Sequence, residues 1–141
     1  MRSGSTEAVA RDSVRFAQAK EVRVKVTRSS EIRSHETAGV RVSFVATPES
    51  GASESVVLRG FVPAGKGFSA HSHDHEEILY VLSGVVTYTI ASETGSMFAG
   101  DVIAVPAGAL HAFEAKDDLD AIAVLPAGYK TFAPDGTEMP R

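Results

Sequence analysis

HSHDHEE, residues 71–77, holds three of the chain's five histidines at every second position and closes on two glutamates. On an extended strand, His71, His73, His75 and Glu77 would share one face. Neighbours two apart lie roughly 6.6 Å from one another, close enough for two imidazoles to meet at one ion. Residues six apart would be separated by about 20 Å, too far for a single coordination sphere. If His71 and Glu77 serve one metal, the strand must therefore break between them. Asp74 and His75 fall where that break would lie. The stretch thus predicts a strand end, a tight turn, and a new strand beginning near Glu76.

Imidazole and carboxylate together suit iron, zinc, nickel, manganese or copper. Cysteine is absent from the 141 residues, which removes disulfides, thiolate metal sites and a cysteine nucleophile. A solvated, histidine-rich turn would bind metals only casually, and the cluster alone does not separate that case from a built site. One stretch of chain seldom encloses an ion, so a distant ligand is expected. His111 is the candidate. It follows VIAVPAGAL (102–110), a strand and a Pro-Gly turn, and should open a further strand at a barrel rim. His35, alone in the polar stretch SSEIRSHET (29–37), is expected to be exposed. Asp117, Asp118 and Asp120 are expected to form a solvated acidic loop.

Outward from the cluster, the chain reads as short strands. EVRVKV (21–26) alternates valine with charge, as a half-buried strand does. Further strands are predicted at 40–46, 55–62, 76–82, 85–91, 102–105, 111–115 and 119–125. Between them TPESGAS, PAGKG, SG, ETGS, AGD and PAG supply turn residues at short intervals. Such spacing, without a convincing helix after residue 20, predicts an antiparallel sandwich or barrel. Residues 1–20 fit either a short amphipathic helix capped at Thr6 or a loose arm. The end, AGYKTFAPDGTEMPR (127–141), is expected to be loop.

Composition narrows the function. A net charge of −4 and a pI near 5.7, without a block of lysine and arginine, argue against nucleic-acid binding. No apolar run approaches the roughly 20 residues that span a bilayer. The N-terminal stretch lacks the apolar core of a secretion signal, so a cytoplasmic, membrane-free protein is expected.

Spacing adds a resemblance. Gly65, His71, His73, Glu77 and Gly84 follow the interval pattern G(X)5HXH(X)3,4E(X)6G; Gly100, Pro106, Gly108 and His111 follow G(X)5PXG(X)2H. The chain resembles the cupins, whose two motifs these are. The asparagine that closes the second motif is replaced by Ala115. The resemblance implies an all-β, double-stranded β-helix (a jelly-roll barrel) over residues 21–132, with residues 1–20 as an arm and 133–141 as a tail. It also implies one divalent transition metal per chain, iron, manganese, nickel, copper or zinc, held by His71, His73, Glu77 and His111.

With that ligand set, His75 is expected to be exposed or to support the ligands from outside. Glu76 and Tyr80 should face away from Glu77. The resemblance further implies a small-molecule substrate. The first expectation is a metal-dependent dioxygenase, with Glu77 as a base. A non-redox isomerase, lyase, decarboxylase or polyketide cyclase is the alternative, and a non-catalytic binding module the third. An anionic substrate would call for inward cations, with Arg41, Arg59 and Lys66 as candidates. Met97 and Phe98 could line an apolar pocket or simply fill the core. A homodimer through the strand at residues 21–27 is expected.

Overall fold

The computed structural model describes residues 22–140. The arm expected at residues 1–20 lies outside the described residues. Twelve strands follow: β1 Ser34–Thr37, β2 Val40–Ala46, β3 Ser55–Val62, β4 Gly67–His73, β5 Glu77–Ser83, β6 Val85–Ile90, β7 Glu93–Phe98, β8 Val102–Val105, β9 His111–Ala115, β10 Leu119–Pro126, β11 Thr131–Phe132 and β12 Glu138–Met139. They form two six-stranded antiparallel sheets, ordered β1-β2-β3-β10-β5-β8 and β12-β11-β4-β9-β6-β7. From β3 onward the chain repeatedly passes from one sheet to the other. This is the double-stranded β-helix, or jelly roll, in which one core lies between two facing sheets.

Alternation of side chains explains why the sheets close on each other. In β5, Glu77, Leu79 and Val81 are buried, whereas Ile78, Tyr80 and Leu82 are exposed. Val81, Val86 and Val105 are almost wholly buried; each contributes about 1.5–3 kcal/mol relative to exposure. Met97 belongs to this core, and Phe98 points to solvent.

Three expectations need correction. Residues 22–28 form no strand, and Val22, Val24 and Val26 are exposed. Period-two alternation satisfies a strand only when an edge is there to pair with, and among the described residues this segment joins no sheet. ETGS is not a turn but the first two-thirds of β7. Gly95 lies opposite Tyr88, and a Cβ there would come within 2.5 Å of its hydroxyl. That glycine makes room for a cross-strand ring rather than a bend. The C-terminal stretch is not all loop: β11 pairs with β4 and β12 with β11.

Candidate metal centre

The break predicted inside HSHDHEE is present: β4 ends at His73, two bends follow, and β5 begins at Glu77. The turn carries the chain from one sheet to the other, so Glu77 faces the histidines across the sandwich. His111 opens β9, as expected, directly opposite His71 in the register of β4 and β9. It is 2% exposed, so it lies inside the barrel and not at an exposed rim. A register shift between Phe68 and His71 precedes this pair.

The result is a convergence of three imidazoles, with ring centroids 4.3 Å apart for His71 and His111, 4.9 Å for His71 and His73, and 5.3 Å for His73 and His111. One ligating nitrogen from each lies within 4.8 Å of the others. Glu77 approaches two of the three. Its Oε1 is 3.3 Å from His111 Nε2, and its Oε2 is 3.8 Å from His73 Nε2.

Backbone and hydroxyl oxygens set the ring orientations. His71 Nδ1 donates to the Ser69 carbonyl at 2.7 Å, and His111 Nδ1 to the Ala109 carbonyl at 2.8 Å. His73 Nδ1 lies 3.0 Å from Thr131 Oγ1 and 3.4 Å from the Lys130 carbonyl. The carbonyl partners of His71 and His111 make those two Nδ1 atoms donors, which turns their Nε2 atoms inward, where a neutral ring offers a lone pair. His111 Nε2 is buried without a hydrogen-bond partner among the described residues. At 3.3 Å from Glu77 Oε1, that nitrogen calls for a proton or a cation between the two groups. The donor set, three imidazole nitrogens and a carboxylate, fits a first-row divalent metal.

Electrostatics divides the three histidines. Burial pushes His71 and His73 below the ordinary imidazole range, and repulsion from neighbouring imidazoles adds to this. For His111, burial also opposes the charge, but Glu77 and the Ala109 carbonyl outweigh it and hold the ring above that range. In metal-free protein, His71 and His73 therefore contribute stability that is present above about pH 6.5 and lost as pH falls through their folded values. His111 contributes in the opposite sense: its stabilisation is present below about pH 6.5 and lost as pH rises through its folded value. An NMR titration of metal-free protein should find one of these rings titrating above the ordinary value and two below. Three indistinguishable titrations would contradict the geometry.

The C-terminal segment, not anticipated from sequence, completes the wall. Asp74 accepts the Lys130 amide at 2.7 Å and His75 Nδ1 at 2.9 Å. These bonds, the amide first, hold its carboxyl below the usual range. They fasten β11 beside β4, placing Thr131 on His73 and the Tyr129 ring perpendicular to the His73 ring at 5.3 Å. His75 is thus exposed and turned onto Asp74, away from the convergence. Glu76 and Tyr80 are exposed, as parity required.

Between the sheets lies a cavity of about 150 Å³ that reaches His71, His73 and Glu77. Leu58, Phe68, Phe113 and Leu125 wall it. The three candidate cations lie elsewhere. Arg59 makes a bidentate ion pair with Asp120 at 2.8 and 2.6 Å, Arg41 stacks over Phe61, and Lys66 is exposed. Asp120 and Asp118 are accordingly not merely solvated: Asp118 accepts the Ala64 amide at 2.9 Å. His35, on β1, is exposed as expected. Ala115, in place of the motif asparagine, is buried in the core. No helix among the described residues is long and apolar enough to cross a membrane.

The family described as "Cupin domain" matches residues 58–125. No curated protein of significantly similar sequence was found. Among solved structures, KdgF from Halomonas sp. is 19% identical, with a TM-score of 0.65 over 74% of this chain and 94% of that one. The polyketide cyclase RemF from Streptomyces resistomycificus is 18% identical, with a TM-score of 0.66 over 76% and 82%. A predicted oxalate decarboxylase from Thermotoga maritima is 26% identical, with a TM-score of 0.63 over 73% and 99%.

Proposed function

We propose, from the match of residues 58–125 to the cupin domain family and from the shared cupin fold, that this chain is a metal-dependent enzyme acting on a small organic molecule, and that its chemistry is oxygenation by dioxygen. The observation that carries the metal reading is the convergence of one nitrogen from each of His71, His73 and His111 within 4.8 Å of one another, with the Glu77 carboxylate beside two of them. His71, His73, His111 and Glu77 would hold the metal. When bound, an iron or copper ion supplies open positions at which substrate and dioxygen can meet.

The chain's own residues do the rest. The carbonyls of Ser69, Ala109 and Lys130, which can only accept, favour the metal-facing tautomer of the three imidazoles. Glu77 lowers the net charge of the site and, through a carboxylate oxygen, can accept a proton from substrate. The apolar walls exclude water and admit dioxygen, itself apolar. Protein reconstituted with iron or copper should consume oxygen in a panel of small aromatic and aliphatic chelators, and its His73→Ala form should not. Turnover by zinc- or manganese-loaded protein without oxygen uptake would instead establish Lewis-acid chemistry.

Glu77→Gln separates charge from proton transfer. It keeps an oxygen donor and the volume, so metal content should stay near one equivalent while turnover falls about 100-fold. Full turnover in that protein would remove Glu77 as the base.

The exposed valines at 22, 24 and 26 also support association. We read residues 22–27 as a strand that finds its edge on a second copy, forming a homodimer. Sedimentation of a protein beginning after residue 28 should give a monomer. A dimer of unchanged stability would show that the segment is not the contact.

A further inference from the structure

We infer that the cavity selects an uncharged, apolar body about the size of one six-membered ring, attached to a polar end that reaches the histidines. The inference rests on the metal-centre reading for the polar end only. The body is assigned from the walls.

Two observations carry it. The first is charge. Apart from His71, His73, Glu77 and the Tyr129 phenol, every described residue lining the cavity is apolar or glycine. The nearby cations are engaged on other surfaces or exposed. A second carboxylate or a phosphate on the substrate would be buried without a partner, at heavy cost.

The second observation is volume. Small side chains create the room: Gly60 pairs with Ala121 across β3 and β10, and Ala123 pairs with Leu58 and Leu79. A leucine at position 121 or 123 would occupy much of a cavity of about 150 Å³. A dry, apolar cavity of about this size is enough for a benzene ring. Phe68 and Phe113 offer ring faces and edges to such a guest. Gly60, Ala121 and Ala123 are therefore the residues that set substrate size.

The test uses two chelators with one head and different bodies. Calorimetry on zinc-loaded protein should show benzohydroxamate binding at least about tenfold more tightly than acetohydroxamate, since only the former fills the cavity. Ala123→Leu should bring the two affinities to within about threefold while zinc content stays near one equivalent. Gly60→Ala, whose added Cβ would meet Phe68 and Val62 at 3.8 and 3.9 Å, is a milder variant that the fold accommodates; it should narrow the ratio partway.

Benzene, followed by NMR in metal-free protein, isolates the cavity from the metal. It should bind saturably to the wild type and not to Ala123→Leu. Failure to take up zinc, with benzene still bound, would overturn the metal-centre reading and leave the size assignment standing. Equal affinity for the two hydroxamates, tighter binding of oxalate than of benzohydroxamate, or no benzene binding would overturn the assignment itself.

Discussion

The His111→Ala protein is expected to fold and to lose its metal. In the wild type, His111 sits opposite His71 on paired strands, is 2% exposed, and supplies one of the three converging nitrogens. Removing it leaves two imidazoles and a carboxylate, and affinity for zinc should fall by more than about 100-fold. The metal-free form should lose some stability but stay folded. The deletion opens a void and removes both the ring that faces Glu77 at 3.3 Å and its bond to the Ala109 carbonyl. Chelator competition measures the first effect and thermal melting the second. A variant that still binds one zinc tightly would place the site elsewhere.

Gly84→Ala should have the largest effect on stability. Gly84 has φ of +92°, a conformation that resists a side chain, and it joins β5 to β6 where the chain changes sheets. Space is lacking as well: a Cβ would lie 2.2 Å from the Asp118 carbonyl oxygen and 3.0 Å from Leu119 Cα. Both are backbone atoms where the neighbouring connection enters β10, so no rotamer can relieve the contact. Strain and forced separation together should cost about 3 kcal/mol or more, readable as a lower denaturation midpoint. The equivalent change at Gly51, which has positive φ but open surroundings, should cost only the conformational part. Equal losses at the two positions would mean that the close approach contributes nothing.

The contrast between those glycines shows what was legible in the sequence. Gly65, Gly84, Gly100 and Gly108 all have positive φ, and motif spacing alone was enough to expect turns there. Gly67 and Gly95 serve a different need. A Cβ at Gly67 would strike the Phe113 carbonyl oxygen at 2.0 Å, and Gly95 clears the Tyr88 ring. Such contacts depend on which strands pair, and local pattern does not carry pairing. The same limit hid the C-terminal contribution: Asp74 and Lys130 meet 56 residues apart in sequence.

Parity, by contrast, transferred well. It placed Glu77 inward and Glu76 and Tyr80 outward before any pairing was known. It misled at residues 22–26, where alternation of valine and charge suggests burial that the three valines do not have among the described residues. Arg59 shows the remaining gap. Its position on β3 was legible, but its commitment to Asp120 on β10 came from register.

The most direct test of the metal centre is anomalous diffraction from crystals of zinc-reconstituted protein at the zinc edge. One strong peak is expected per chain, about 2.0–2.2 Å from the Nε2 atoms of His71, His73 and His111 and from a carboxylate oxygen of Glu77. A peak bound by His75 and Asp74 on the exposed turn, with nothing between the buried imidazoles, would contradict the account.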